Sequence, residues 1–289
     1  MWETFRDLSF KLFGTSLEPF TEYFENLKPD IEKSGIPLSL TEYVYVIVFC
    51  TLLTFLIEFP LLSFIGGLFL SPALAFFLAL TTSLILSFGV FFFLYSYPSF
   101  LVQKRAKEID AGLPFISIYL SSISASGIPP TSMFKILSGF REYKEIAKEA
   151  SKIYRDIEFF GMNLEQAIRK AAMRTPSKEF KEMLLGLITL LSSGGNLSEF
   201  FKERAKEFMN EYRRRLESYS RLLTLMIEIY LTAIIVGSIF FIILSVVISM
   251  FSTTSNLSLI FMQFAVVVFI LPFVSIGFIV LVKSLSPGI

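Results

Sequence analysis

Of 289 residues, 54% are apolar, 34 are Phe and only 18% are charged, well below the charge content of an ordinary soluble domain. The formal net charge of +1 conceals a sharp segregation of charge along the chain, there is no His, and Cys50 is the single cysteine. These counts exclude an intrachain disulfide and remove the His and Cys sets on which common zinc, redox and imidazole chemistry depends, so no catalytic, cofactor or metal site is expected.

Residues 1–42 are predicted to form two amphipathic cytoplasmic helices. Phe20, Tyr23, Phe24, Leu27 and Ile31 recur at helical spacing, with Glu18, Glu22, Glu25 and Asp30 on the other face. Eight acidic residues against four basic ones argue against lipid recognition by this segment, because cytoplasmic leaflets are anionic. Packing that orients the first span is the simpler role. The opening Met1-Trp2-Glu3 lacks the basic, then apolar, pattern of a secretory signal.

Residues 43–97 carry one charge, Glu58, over a length about twice that of a membrane-crossing helix. They read as a transmembrane hairpin broken near Gly66-Gly67 and Pro72. Ser39 and Glu42 stand at capping-box spacing before the first span. Pro60, just after Glu58, is expected to kink it.

Residues 98–221 form the one sizeable soluble region, and glycine-centred breaks punctuate it. They fall at Gly127 with Pro129 and Pro130, at Gly161 with Asn163, and at Gly194-Gly195 with Asn196. Each Gly can close a helix in the left-handed conformation, and Asn163 and Asn196 can cap the next one, with Gln166 and Glu199 three residues on. Six helices are predicted: 113–126, 130–139, 142–160, 163–174, 177–193 and one from 196 onward. Stripes such as Ile146, Ala150, Ile153 and Ile157, or Phe201, Ala205, Phe208, Tyr212, Leu216 and Tyr219, imply mutual burial in one bundle. The spacing of about 34 residues between breaks also suits tetratricopeptide repeats, but their Trp, Gly and Tyr signature is missing.

Residues 222–289 read as a second transmembrane hairpin, Leu222 to Phe251 and Leu257 to Val282, joined by the polar turn 252–256 and ending in a short tail. No Gly or Pro interrupts the chain between Leu197 and Gly237, so the last bundle helix is expected to run into the third span. Of 26 basic residues, four precede the first span, 21 lie in 98–221 and Lys283 follows the fourth. The positive-inside rule then puts both termini and the bundle in the cytoplasm of a multi-pass plasma-membrane protein. The fold class is all-α, with four transmembrane helices and a six-helix bundle between spans two and three.

The ordered set Glu108-Ile109-Asp110-Ala111-Gly112-Leu113-Pro114, Ser124-Ala125-Ser126-Gly127-Ile128-Pro129, Gly161-Met162-Asn163-Leu164-Glu165-Gln166-Ala167-Ile168 and Gly194-Gly195-Asn196-Leu197 precedes a basic helix that enters a span. Together these resemble the F-type platform proteins of type II secretion, type IV pilus, tight-adherence pilus and archaeal flagellum systems. The resemblance implies a six-helix cytoplasmic domain without catalytic activity. It further implies contact with a hexameric secretion-type ATPase and with pilin-like membrane subunits. Longer members carry two such modules, so this single-module form is expected to pair with itself or a paralogue.

Several charged residues invite a functional reading. Glu58 and Glu228 are the only acids inside apolar blocks, where an ionisable group is costly. Glu228 follows Arg221 by seven residues and an interfacial position explains it. Glu58 is deeper and suits either an interhelical hydrogen bond or contact with a pilin group. Arg213, Arg214 and Arg215 precede span three and suit anionic headgroups of the bilayer or coupling to the membrane. Arg141, Arg155, Arg169 and Arg174 are candidates to face an acidic ATPase surface, since 98–221 carries 21 basic against 15 acidic residues. The remaining charges, including Glu145 and Glu149, read as solvated helix faces. No nucleic-acid partner is expected. A small transporter, or a subunit of one, is the alternative, though its spans offer few polar lining residues; a membrane enzyme lacks any catalytic constellation.

Overall fold

The computed structural model describes residues 18–251, 261, 264, 268, 269 and 271–285. Expectations for residues 1–17, for the 252–256 turn and for residues 286–289 lie outside them. In order come a 3-10 helix Glu18–Leu27, then α1 Lys28–Ser34, α2 Leu40–Gly67, α3 Pro72–Ala125, α4 Pro130–Ser138, α5 Lys144–Glu158, α6 Leu164–Arg174, α7 Lys178–Ser193, α8 Leu197–Phe251 and α9 Leu271–Leu285. The all-α expectation holds. Among the described residues three helices, α2, α3 and α8, are long and apolar enough to cross a membrane. Residues 1–202 and 203–289 form two compact units.

In the first unit, Ser39 and Glu42 close the expected capping box at the start of α2. Ser39 Oγ accepts from the Glu42 amide at 3.3 Å, and Glu42 Oε2 accepts from the Ser39 amide at 2.7 Å. The α2 helix continues through Pro60 to Gly67, and Pro72 opens α3 on the far side of a short turn. Gly66 allows close approach there: a Cβ on it would lie 3.3 Å from Ala75 Cβ. The hairpin is packed along Ala75, Ala79, Ser83 and Ser87, all buried, a row of small side chains at four-residue spacing that lets two helices approach. Most large apolar side chains of α2 and α3, such as Leu56, Phe64, Ile85 and Phe88, face outward as a lipid-facing surface requires.

The N-terminal segment packs as expected but with a different period. Leu27 and Ile31 are buried with Leu38, Tyr43, Val46 and Ile47, and Phe24, Phe91 and Tyr95 close over them. Tyr23, expected on the same stripe, is 82% exposed. The reason is the 3-10 winding, which repeats every three residues, so Phe24 and Leu27 align and Tyr23 does not.

The largest departure concerns the first bundle helix. Expected to begin at Leu113, it is the continuation of span two, one 54-residue helix through Pro98 and Pro114. A proline inside a helix costs about 3 kcal/mol. Both prolines are buried, and the intervening Leu101 to Leu113 is rich in Leu, Lys, Arg, Glu and Ala, which favour the helix. The other bundle helices start and stop within two residues of expectation. Gly127, Gly161 and Gly194 take positive φ of 72°, 63° and 69°, as the helix-closing role demands.

In the second unit, α8 continues without interruption to Phe251. Its Tyr230 hydroxyl lies 2.8 Å from Ser275 Oγ of α9, and its ring stacks on Phe278 at 4.3 Å.

Candidate functional site: the bundle and its tips

The bundle core is apolar, built from Ile116 and Leu120 of α3, Phe134 of α4, Ile146 and Ile153 of α5, Leu184 and Leu187 of α7, and Phe201 at the start of α8. Contacts along α3 register α5, α7 and the start of α8. Tyr143 and Ile146 close over Gly112, where a Cβ would meet Ile146 Cδ1 at 2.6 Å and Tyr143 Cδ1 at 2.8 Å. Glu145 and Glu149 reach back to Arg105, one and a half to two turns nearer the apolar part of α3. After the α6 helix the chain climbs again, with Ser177 Oγ donating to Asp110 and Ser121 Oγ donating to the Ser198 carbonyl at 3.2 Å.

Two of the three glycine breaks therefore share the end of the bundle remote from the apolar part of α3. These are Gly127 with Pro129 and Pro130, and Gly194 and Gly195 with Asn196. Asn196 Oδ1 accepts from the amides of Ser198 and Glu199 at 2.9 and 3.2 Å. The third break is Gly161, between α5 and α6. There the Met162 amide donates to the Asp156 carbonyl at 3.1 Å and Asn163 Oδ1 accepts from the Gln166 amide at 2.7 Å, closing a short rigid turn.

The α5 helix holds a charge arrangement that its sequence conceals. Its apolar stripe is flanked on one side by Glu145, Glu149 and Asp156, all buried, and its opposite face presents Lys144, Lys148 and Arg155 to solvent. Arg105 Nε donates to Glu145 Oε2 at 2.6 Å and its Nη2 to Glu149 Oε1 at 3.1 Å, while its Nη1 donates to the Lys33 carbonyl of α1. From α6, Arg174 Nε reaches Glu149 Oε2 at 3.1 Å and Nη1 reaches Asp156 Oδ2 at 3.3 Å. Lys148, Lys152 and Lys170 complete the pairing. Burial pushes the Glu145 and Glu149 carboxyls up, but the bonds and charges of Lys148 and Arg105 on one, and of Lys152 and Arg174 on the other, outweigh it and hold both below the ordinary value.

Glu145 and Glu149 are thus not the solvated face expected. Arg174 is 21% exposed and turned inward on two acids, while Arg141, Arg155 and Arg169 are exposed. Arg213, Arg214 and Arg215 are exposed on α8, as is Glu228. Glu58 is half-buried, and its Oε2 is enclosed without a hydrogen-bond partner within the chain. Among the described residues no three His, Cys, Asp or Glu side chains converge on a metal-sized site.

Comparison with known proteins agrees with the resemblance read from the glycine breaks. Residues 116–245 match the family described as type II secretion system (T2SS), protein F. Flagella accessory protein J of Methanocaldococcus jannaschii is 30% identical over 138 residues, 47% of this chain and 25% of that protein. Two uncharacterized proteins of the same organism are 27% identical over 137 residues and 29% identical over 126, covering 47% and 42% of this chain and 23% and 36% of theirs. The matched stretch is thus about a quarter to a third of each relative's length. No solved structure matches the chain.

Proposed function

We infer that this chain, a membrane protein carrying the protein F domain of type II secretion over residues 116–245, is the non-enzymatic platform of a pilus- or secretion-type assembly machine. It takes movement from a cytoplasmic assembly ATPase and passes it to pilin-like subunits in the membrane. The observation that carries the reading is the way the bundle is mounted. The α3 helix enters it from an apolar span without a break, and α8 leaves it for another apolar span without a break. Continuous helices of 54 and 55 residues are about 80 Å long and transmit displacement better than jointed segments.

The sequence has no glycine-rich phosphate loop with a following Lys-Ser or Lys-Thr, so energy has to arrive from a partner. The positive-inside distribution supports a cytoplasmic bundle with both termini on the same side and four spans in all. The remote end of the bundle, with its paired breaks at Gly127 and Gly194, is the surface best placed for the ATPase. Assembly as a dimer with a second copy or a paralogue would present two such bundles to the ATPase.

The test is a photoactivatable cross-linker at Ile128 or at Asn196 in the full chain, expressed with the ATPase encoded beside it. Adducts with the ATPase from both positions are expected. Their absence, in cells that still assemble the appendage, would remove the remote end as the receptor.

A further inference from the structure

The turn between α5 and α6 exposes two large aromatic side chains in succession, Phe159 at 76% and Phe160 at 66%. Between Arg105 and Lys202 the next most exposed aromatic side chain is Phe115, at 40% and stacked on Tyr143. The turn is fixed by its backbone. The Phe159 amide donates to the Arg155 carbonyl at 3.0 Å, the Met162 amide donates to the Asp156 carbonyl at 3.1 Å, and Gly161 has a φ of 63°. Two apolar rings held rigidly in water carry a solvation penalty and mark a surface that meets something.

Contacts from both flanking helices give the turn its place in the bundle. The α5 helix starts beside Arg105, which Glu145 and Glu149 reach, and further on its Tyr154 ring lies 5.7 Å from the Lys135 ammonium of α4. Since α4 begins at Pro130, just after the Gly127 break, α5 runs toward that break. The α7 helix parallels α3 away from its apolar part, with Ser177 meeting Asp110 and Met183 Sδ lying 3.7 Å from Ser117 Oγ. Only residues 175–177 join α6 to α7, and the two pack side by side, so α6 runs the opposite way and its Leu164 start stands at the remote end. Gly161 thus joins Gly127 and Gly194 there. No charged residue occurs between Asp110 and Lys135, between Glu158 and Glu165 or between Glu182 and Glu199. The three turns therefore make an uncharged end on a bundle that is heavily charged elsewhere.

This end faces away from the apolar part of α3, which removes the bilayer as its occupant. Two copies held in one membrane in the same orientation point their remote ends the same way, so neither caps the other. A soluble partner remains. With aromatic rings present and charge absent, the end has the composition of the centre of a protein–protein interface. We propose that Phe159 and Phe160 are the anchor by which the bundle docks on its assembly ATPase, both rings entering an apolar cleft of that protein. The proposal rests on the reading of the chain as an ATPase-driven platform and adds the chemistry of the contact. The exposed Arg155 and Arg169 stand outside the uncharged turns and contribute no more than steering. A rigid turn presents the pair with little ordering cost on binding.

The experiment measures binding of the ATPase encoded beside the chain to the full chain in nanodiscs. Phe159→Ser combined with Phe160→Ser should weaken binding by about 100-fold or more, as loss of two central aromatic contacts does. The melting midpoint of the chain should stay unchanged, because neither ring supports the fold. Phe159→Leu with Phe160→Leu, which keeps apolar bulk, should lose much less. Arg155→Glu with Arg169→Glu should change only the salt dependence. A double Ser variant that binds like the parent overturns the anchor and leaves the ATPase reading standing, whereas a parent chain that does not bind the ATPase overturns both. Arginine variants that weaken binding as much as the Ser variant make the contact electrostatic and also overturn it. An environment-sensitive fluorophore on Glu158→Cys, in a Cys50→Ser background, tests the other occupants. Its emission should shift to the blue on adding the ATPase. A shift already present in nanodiscs beforehand, or one that grows with the number of chains per nanodisc, would assign the turn to lipid or to a second copy and overturn the proposal.

Discussion

Arg105 of α3 and Glu149 of α5 meet at 3.1 Å, 44 residues apart in sequence, with the carboxylate only 1% exposed and Arg174 of α6 on its other oxygen. This contact ties α3 to α5 and α6. Through the Lys33 carbonyl it also holds the N-terminal segment.

Breaking one partner of such a buried network leaves an uncompensated charge and is expected to cost about 3 to 5 kcal/mol. Glu149→Ala should therefore lower the unfolding midpoint of the detergent-solubilised protein steeply. Arg155→Glu, on the exposed face of the same helix, should change stability by no more than about 0.5 kcal/mol. Equal effects from the two substitutions would mean that the network is not what holds α5 in place.

The same carboxylates give the bundle an acid limit. Their values in the folded protein lie below the unfolded value of 4.5, so unfolding takes up protons and their contribution is fully present above that value. It is lost as pH falls below 4.5 and through the depressed values. Thermal stability followed from pH 7 downward should be flat with respect to these groups until that range and then drop. Glu149→Gln, already less stable at neutral pH, should show a shallower drop; an identical acid slope in both proteins would assign the transition to other groups.

The charge map sets the sidedness. A cysteine at Ser255, in the turn between the last two apolar blocks, should react with an impermeant thiol reagent from outside the cell, and one at Ser138 should not. Labelling in the opposite order would invert the protein and detach it from any cytoplasmic motor.

Local signals in the sequence carried most of the fold. The caps at Ser39, Asn163 and Asn196 and the left-handed glycines at 127, 161 and 194 are written in single residues and their near neighbours, and all appear in the structure. What the sequence concealed was non-local. Glu145 and Glu149 repeat with Lys144 and Lys148 in a pattern indistinguishable from a solvated helix face, and only the distant Arg105 and Arg174 reveal that the acids are inside. The run of α3 through Pro98 and Pro114 was hidden for a related reason, because proline reads as a boundary unless packing on both sides holds the helix together.

The central claim is that displacement of the bundle reaches the membrane along α8. Two glycines inserted after Tyr219 interrupt that helix between its charged and apolar halves, at a cost of about 1 kcal/mol each relative to alanine and with a change in helical phase. The decisive measurement is appendage assembly in cells carrying this insertion, with ATPase co-purification measured in parallel. The expected result is unchanged capture of the ATPase with assembly abolished. Normal assembly by the insertion protein, at normal abundance in the membrane, would contradict the account.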